Sequence, residues 1–258
     1  MASTHAATLL AADALLAARR DNILLEVLPG ASELATDDDA YAVQETVRQG
    51  LGQTIAAWKV SVIEGRPPGY APILSGAMVA NGGTWRLDAG RKLLGIEAEI
   101  AFIPARDIVG RADGKPLSED EVADHLAGAV VVIEVCESRF RDSSAQPRLA
   151  AIADFMANGA FVHGGPAVDW RKLDLATIPV KLTIGGRAVA DKKGGNPAVH
   201  PLTATTWLAN ALIARGTLVK AGQIVTTGSY TGLSPVAAGD RAVAAFEGVG
   251  ECEISFGA

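Results

Sequence analysis

From Thr54 onward, short runs rich in Val and Ile recur between Gly, Pro and Asp, and they predict β-strands at about 54–62, 97–103, 129–137, 180–184, 223–228, 240–246 and 250–256. Gly185-Gly186, between KLTI and RAVA, predicts a tight hairpin. The chain before Thr54 has helical spacing instead. Leu9, Leu16 and the neighbouring alanines give one amphipathic helix in MASTHAATLLAADALLAARR. Thr36 then caps a second helix, whose first turn holds Asp37, Asp38 and Asp39 at the positive end of its dipole. Two later helices interrupt the strands. One runs from a Ser118/Glu121 capping box to about Leu126, and the other from Pro201 to Arg215 with Gly216 past its end. Helices first and strands after, without a long linker or repeat, predict one α+β domain over 1–258: a helical segment at 1–52 and a β-rich core at 53–258.

Composition narrows the function. With 258 residues, 49% hydrophobic, the chain can bury a sizeable core unaided. Its net charge of -6 repels a phosphate backbone, so no nucleic-acid partner is expected. Cys136 and Cys252 are too few for a disulfide framework and read as free thiols of a reducing compartment. No apolar run approaches the ~20 residues that cross a bilayer. The N-terminal stretch has no basic leading region, and Asp13 breaks its apolar run, so a cytoplasmic protein with no membrane association is expected. There is no GxxxxGK[ST], no GxGxxG after a strand, no HExxH and no GxSxG. His5, His125, His163 and His200 are scattered without ligand spacing.

The informative charges lie within strands. In GIEAEIAF a period of two puts Glu97 and Glu99 on one face, which is equally the pattern of a solvated strand edge. Glu134 is less ordinary, because AVVVIEVC reads as a strand covered on both faces. A carboxylate there needs a partner, either Arg139 or a hard divalent cation that takes oxygen ligands. Lys59, in the apolar segment TIAAWKVSV, is either a snorkelling edge lysine or an ammonium tied to the same carboxylates. Cys136 shares the strand parity of Glu134 and reads as a small core residue, and Lys192 and Lys193 before Gly194-Gly195 read as a solvated loop.

YAVQ (41–44), WKV (58–60), GIEAEIAF (95–102), IEVCESRF (133–140), NGAFVHGG (158–165), HPLTATTWLAN (200–210) and GQIVTTGSYTG (222–232) run in the order of the 2-oxopent-4-enoate hydratase and 4-oxalocrotonate decarboxylase family, within the fumarylacetoacetate hydrolase superfamily, which the chain resembles. The resemblance implies mixed β-sheets rolled into a barrel-like core with N-terminal and peripheral helices. It implies Mg²⁺ or Mn²⁺ held by Glu97, Glu99 and Glu134, with Lys59 as the active-site lysine. Ser229, the hydroxyl residue after T-G, would contact the substrate carboxylate, and Lys59, Tyr70 and Asn158 are the further substrate-facing candidates. The implied activity is a metal-dependent lyase on a small 2-oxo acid or its dienol, foremost a hydratase; the alternatives are a 4-oxalocrotonate-type decarboxylase and a non-catalytic, metal-stabilised partner subunit. Relatives are commonly homo-oligomers. The chain departs from the family in a shorter segment after Lys59, in Tyr70 where hydratases place an aspartate, and in ADFMAN, where Phe155 and Ala157 replace asparagine and serine. Fewer polar groups at the distal end favour a bulkier or more apolar substrate tail.

Overall fold

A computed structural model describes residues 2–88 and 91–258; Met1, included in the first predicted helix, lies outside the described residues. Helices α1 (Ala2–Asp21) and α2 (Asp37–Leu51) come first, then β1 (Ile55–Ser61), β2 (Gly69–Leu74), β3 (Met78–Val79), β4 (Thr84–Arg86) and β5 (Lys92–Pro104). The middle of the chain gives α3 (Glu119–Ala123), β6 (Leu126–Ser138), α4 (Arg148–Ala153), β7 (Asn158–His163), β8 (Pro179–Ile184) and β9 (Arg187–Lys193). Helix α5 (Pro201–Ala214) and strands β10 (Ile224–Thr226), β11 (Arg241–Phe246) and β12 (Gly250–Gly257) complete it. No helix among the described residues is long and apolar enough to cross a membrane.

The caps form as the residues dictate. Thr36 Oγ1 accepts from Asp39 N at 3.3 Å while the Asp39 carboxylate accepts from Thr36 N at 2.8 Å. Asp39 thus closes a capping box, and Asp37 and Asp38 are free to bind Arg148 and Arg215. Ser118 and Glu121 form the second box, although α3 stops at Ala123 because β6 already begins at Leu126. The Gly185-Gly186 hairpin joins β8 to β9, and β9 continues to Lys193. Lys192 and Lys193 are therefore strand residues paired with Val180 and Pro179, not the predicted loop.

Seven strands make one curled mixed sheet in the order β2-β1-β10-β5-β6-β7-β3, and five make a second, β4-β12-β11-β8-β9. The long hairpin β5/β6 is the spine, and β11 and β12 pack across β6. Alternation gives the large sheet two different faces. Trp58, Val60, Ile96, Ala98, Ile100, Val131, Ile133 and Val135 point into the main core, which also collects α1 and α2. On the opposite face, Ala57, Ala101, Val130, Val132, Phe161 and Ile224 form a smaller apolar cluster. Lys59, Glu97, Glu99 and Glu134 share the parity of this second set, so the same face passes from apolar to charged along its strands.

Candidate metal centre

Strand register brings the carboxylates together. Glu97 stands directly opposite Glu134 across the β5/β6 pair, and Glu99 follows two residues along the same face. Lys59 pairs with Thr226 on the neighbouring parallel strand β10. Lys59 Nζ donates to Glu134 Oε1 at 2.6 Å and to the Met156 carbonyl at 2.9 Å, and Asn158 Nδ2 reaches the same Glu134 oxygen at 2.9 Å. Glu99 accepts from the Thr226 hydroxyl and from Gly228 N at 2.8 Å. Gly228 is at φ 104°, and a Cβ there would fall 2.6 Å from Pro197, so this close approach of backbone to carboxylate requires glycine. Lys59, Glu97, Glu99, Glu134 and Gly228 line a cavity of about 270 Å³ with Ser61, Met156, Pro197 and Ser229.

Burial and mutual repulsion dominate the electrostatics. The Glu99 carboxyl is pushed up to about 8, first by burial and then by Glu134 and Glu97. Glu97 is also raised, by burial and by Glu134, while Ser229 and Cys136 bonded to it work the other way. Burial pulls the Lys59 ammonium down, but Glu134 foremost, with Glu97, holds it above the ordinary lysine value. With all three carboxylates ionised against one ammonium, the formal charge is -2, which a divalent cation balances. One oxygen also asks for a ligand. Glu134 Oε2 is fully buried and has no hydrogen-bond partner among the described residues. Oxygen atoms of Glu97 and Glu134 and the Cys136 sulfur lie within 4.8 Å of one another. Glu99 lies outside this tight group but lines the same cavity, and the carboxylate oxygens of the glutamates are the hard donors that a divalent cation takes.

The other predicted residues divide. Ser229 is on the cavity wall, its Oγ accepting from Gly232 N at 2.9 Å. Asn158 is held against Glu134, so its side chain supports the carboxylate instead of lining the cavity. Tyr70 requires a correction: the structure places it on the other face of the sheet, stacked on Tyr41 at 4.0 Å between centroids and edge-on to Trp58 at 5.8 Å. It pairs with Val60, one residue past Lys59, and a one-residue offset on a strand reverses the face. Arg139 is not the partner of Glu134 either. Its Nε meets the Asp154 carboxylate, its Nη2 donates to Asp154 O at 2.7 Å, and its Nη1 to Asn158 O at 2.9 Å. Cys136 is buried, as a core residue would be, but its sulfur lies 3.7 Å from Glu97 Oε2, at the cluster itself. Sequence reading missed Thr226, Gly228 and the Met156 carbonyl. The last is presented by a turn in which Phe155, Met156 and Ala157 all have left-handed φ of 56°, 50° and 61°, a feature that residues with side chains do not announce.

Residues 60–256 match the fumarylacetoacetate (FAA) hydrolase C-terminal family. Over 160 residues the chain is 33% identical to the 2-hydroxyhexa-2,4-dienoate hydratase of Comamonas testosteroni, a stretch that spans 62% of this chain and only 59% of that relative. It is 28% identical over 229 residues to the 4-oxalocrotonate decarboxylase of Pseudomonas sp. (strain CF600), covering 84% of this chain and 83% of the relative. Its fold superposes with a TM-score of 0.84 on the 4-oxalocrotonate decarboxylase of Pseudomonas putida G7, complexed with magnesium and adipate, at 24% identity and covering 98% and 97% of the two chains.

Proposed function

The chain belongs to the fumarylacetoacetate hydrolase C-terminal family, and from that premise we propose that it is a divalent-metal-dependent lyase acting on a 2-oxo acid or its dienol, adding water across a conjugated double bond. The observation that carries the reading is the convergence of Glu97, Glu99 and Glu134 with Lys59 on one sheet face, around an orphaned carboxylate oxygen. Glu97, Glu99 and Glu134 would hold Mg²⁺ or Mn²⁺. Once bound, the cation supplies Lewis-acid stabilisation of negative charge developing on the substrate's keto oxygen.

The chain's own residues do the rest. Lys59 keeps its proton and spends two of its three donors on Glu134 and the Met156 carbonyl, leaving the third for a substrate oxygen. In this state it is a fixed cation and a hydrogen-bond donor, not a base. Ser229, on the cavity wall, would turn its hydroxyl from Glu97 to the substrate carboxylate, and Asn158 would hold Glu134 from behind. The whole chain acts as one catalytic unit in this reading, cytoplasmic and self-associating. Sedimentation of the purified protein tests the last point.

Glu97→Gln or Glu134→Gln should abolish Mg²⁺-dependent turnover of a 2-hydroxydienoate while leaving the circular dichroism spectrum and solubility unchanged. Full activity of the metal-stripped double variant overturns the reading. Decarboxylation of a 2-oxo diacid is the second reading, favoured by the long alignment with a decarboxylase. Following CO₂ release and loss of diene absorbance on the same substrates separates the two.

A further inference from the structure

Beside the carboxylate cavity lies a second one of about 350 Å³, and the walls of the two share Ser61 and Met156. Leu94, Phe140, Ala151, Ile152 and Ala157 give the second cavity its apolar lining. Its charged groups are already committed. Arg148, the one cation among its described lining residues, grips the Asp37 carboxylate, with Nη2 2.9 Å from Oδ2, and donates to the Pro68 carbonyl at 2.8 Å. Asp154 adds a buried carboxylate, occupied by Arg139 and, at 3.3 Å, by the Ser138 hydroxyl. A carboxylate entering this space would find no uncommitted cation on its described walls, whereas an apolar group would meet carbon. Met156 stands between the cavities. The left-handed turn puts its carbonyl on Lys59 and its side chain over Gly69, where a Cβ would be 3.6 Å from the sulfur. An unbranched thioether at this point can adapt to what passes it.

We infer that the second cavity receives the substrate's tail and selects an uncharged one, an alkyl- or aryl-substituted 2-hydroxydienoate or its 2-oxo form, against a 2-oxo diacid. The inference rests on the proposed 2-oxo acid chemistry at the three glutamates. With the Mg²⁺-loaded full-length protein, calorimetry should show oxalate, which is all head and no tail, binding. Affinity should then rise ~4-fold per methylene from 2-oxobutanoate upward until the space is full. 2-Oxoadipate should bind at least tenfold more weakly than 2-oxohexanoate. Leu94→Trp and, independently, Ala151→Leu should flatten the dependence on chain length and leave oxalate affinity unchanged. Equal binding across the series, or 2-oxoadipate matching 2-oxohexanoate, overturns the tail assignment alone. Failure of oxalate and of every 2-oxo acid to bind overturns the functional reading, and the tail assignment with it.

Discussion

Replacing Lys59 by Met removes an ammonium 2.6 Å from Glu134 and leaves that carboxylate beside Glu97 with no counter-charge. The two side chains of the pair are only 11% and 1% exposed, so water cannot take over the role of Lys59. Breaking a buried pair from one side costs about 3–5 kcal/mol. Metal-free Lys59→Met should lose about that much stability in urea unfolding at pH 8, and less at pH 5, where protonation of the carboxylates relieves the imbalance. Adding Mg²⁺ should return most of the loss, because the cation offsets the same charges. It should also bind the variant more tightly than the parent, since ammonium and metal compete for Glu134. Turnover should nevertheless fall by about 10²- to 10³-fold, the usual worth of a preorganised donor to developing negative charge. Removing both charges, in Lys59→Met/Glu134→Gln, should cost less than the two single changes together, by about 1–3 kcal/mol of coupling. Unchanged urea midpoints for the metal-free variant, or weaker Mg²⁺ binding to it, would refute the assignment of Lys59 as the internal counter-charge.

The raised Glu99 carboxyl makes metal-free stability depend on pH. Between its unfolded value of 4.5 and about 8 the folded chain holds a proton that the unfolded chain has released. The stabilising contribution is therefore complete below pH 4.5 and lost as pH rises towards 8. Mg²⁺ requires the ionised form, so the melting-temperature gain from saturating Mg²⁺ should grow from pH 5 to pH 8; a gain that shrinks over that range counts against the site. Ala157→Gly relieves a left-handed φ of 61° and should raise stability by about 1 kcal/mol in urea unfolding, whereas destabilisation would show that the turn is not strained there. Tyr70→Phe should leave KM and Mg²⁺ affinity within twofold, because the ring packs on Tyr41 on the far face; Tyr70→Ala should instead cost about 3–5 kcal/mol of stability.

What could be read from residues alone was what depends on period. Alternation placed Glu97 and Glu99 together, and the unbroken apolar run around Glu134 marked it as a carboxylate needing a partner. Capping chemistry located Thr36 and Ser118 because those side chains satisfy backbone donors next to them in sequence. Family motifs tied Lys59 to the glutamates. Strands β2 and β7 were missed for a physical reason: GYAPIL carries a proline and NGAFVH a glycine, and each is held by pairing with an earlier strand, β1 or β6, across an irregular connection, not by a local pattern. Tyr70 failed for the same reason. Its face is set by which β1 residue it pairs with, and a turn of unfamiliar length between β1 and β2 hides that register.

Arg139 shows how the second buried pair serves the first. Sequence reading offered it as a partner for Glu134, five residues before it, but Arg139 lies one residue past the end of β6 and turns to Asp154. Through Asp154 O and Asn158 O its guanidinium clamps both ends of the segment 154–158. Three consecutive left-handed residues cost about 1–2 kcal/mol each, and charge-assisted bonds of this kind are strong enough to offset that. The strained turn is what aims the Met156 carbonyl at Lys59 and the Asn158 amide at Glu134. One ion pair thus shapes the backbone that orients the other. It leaves the three glutamates with a single ammonium and a negative charge that a divalent ion would balance.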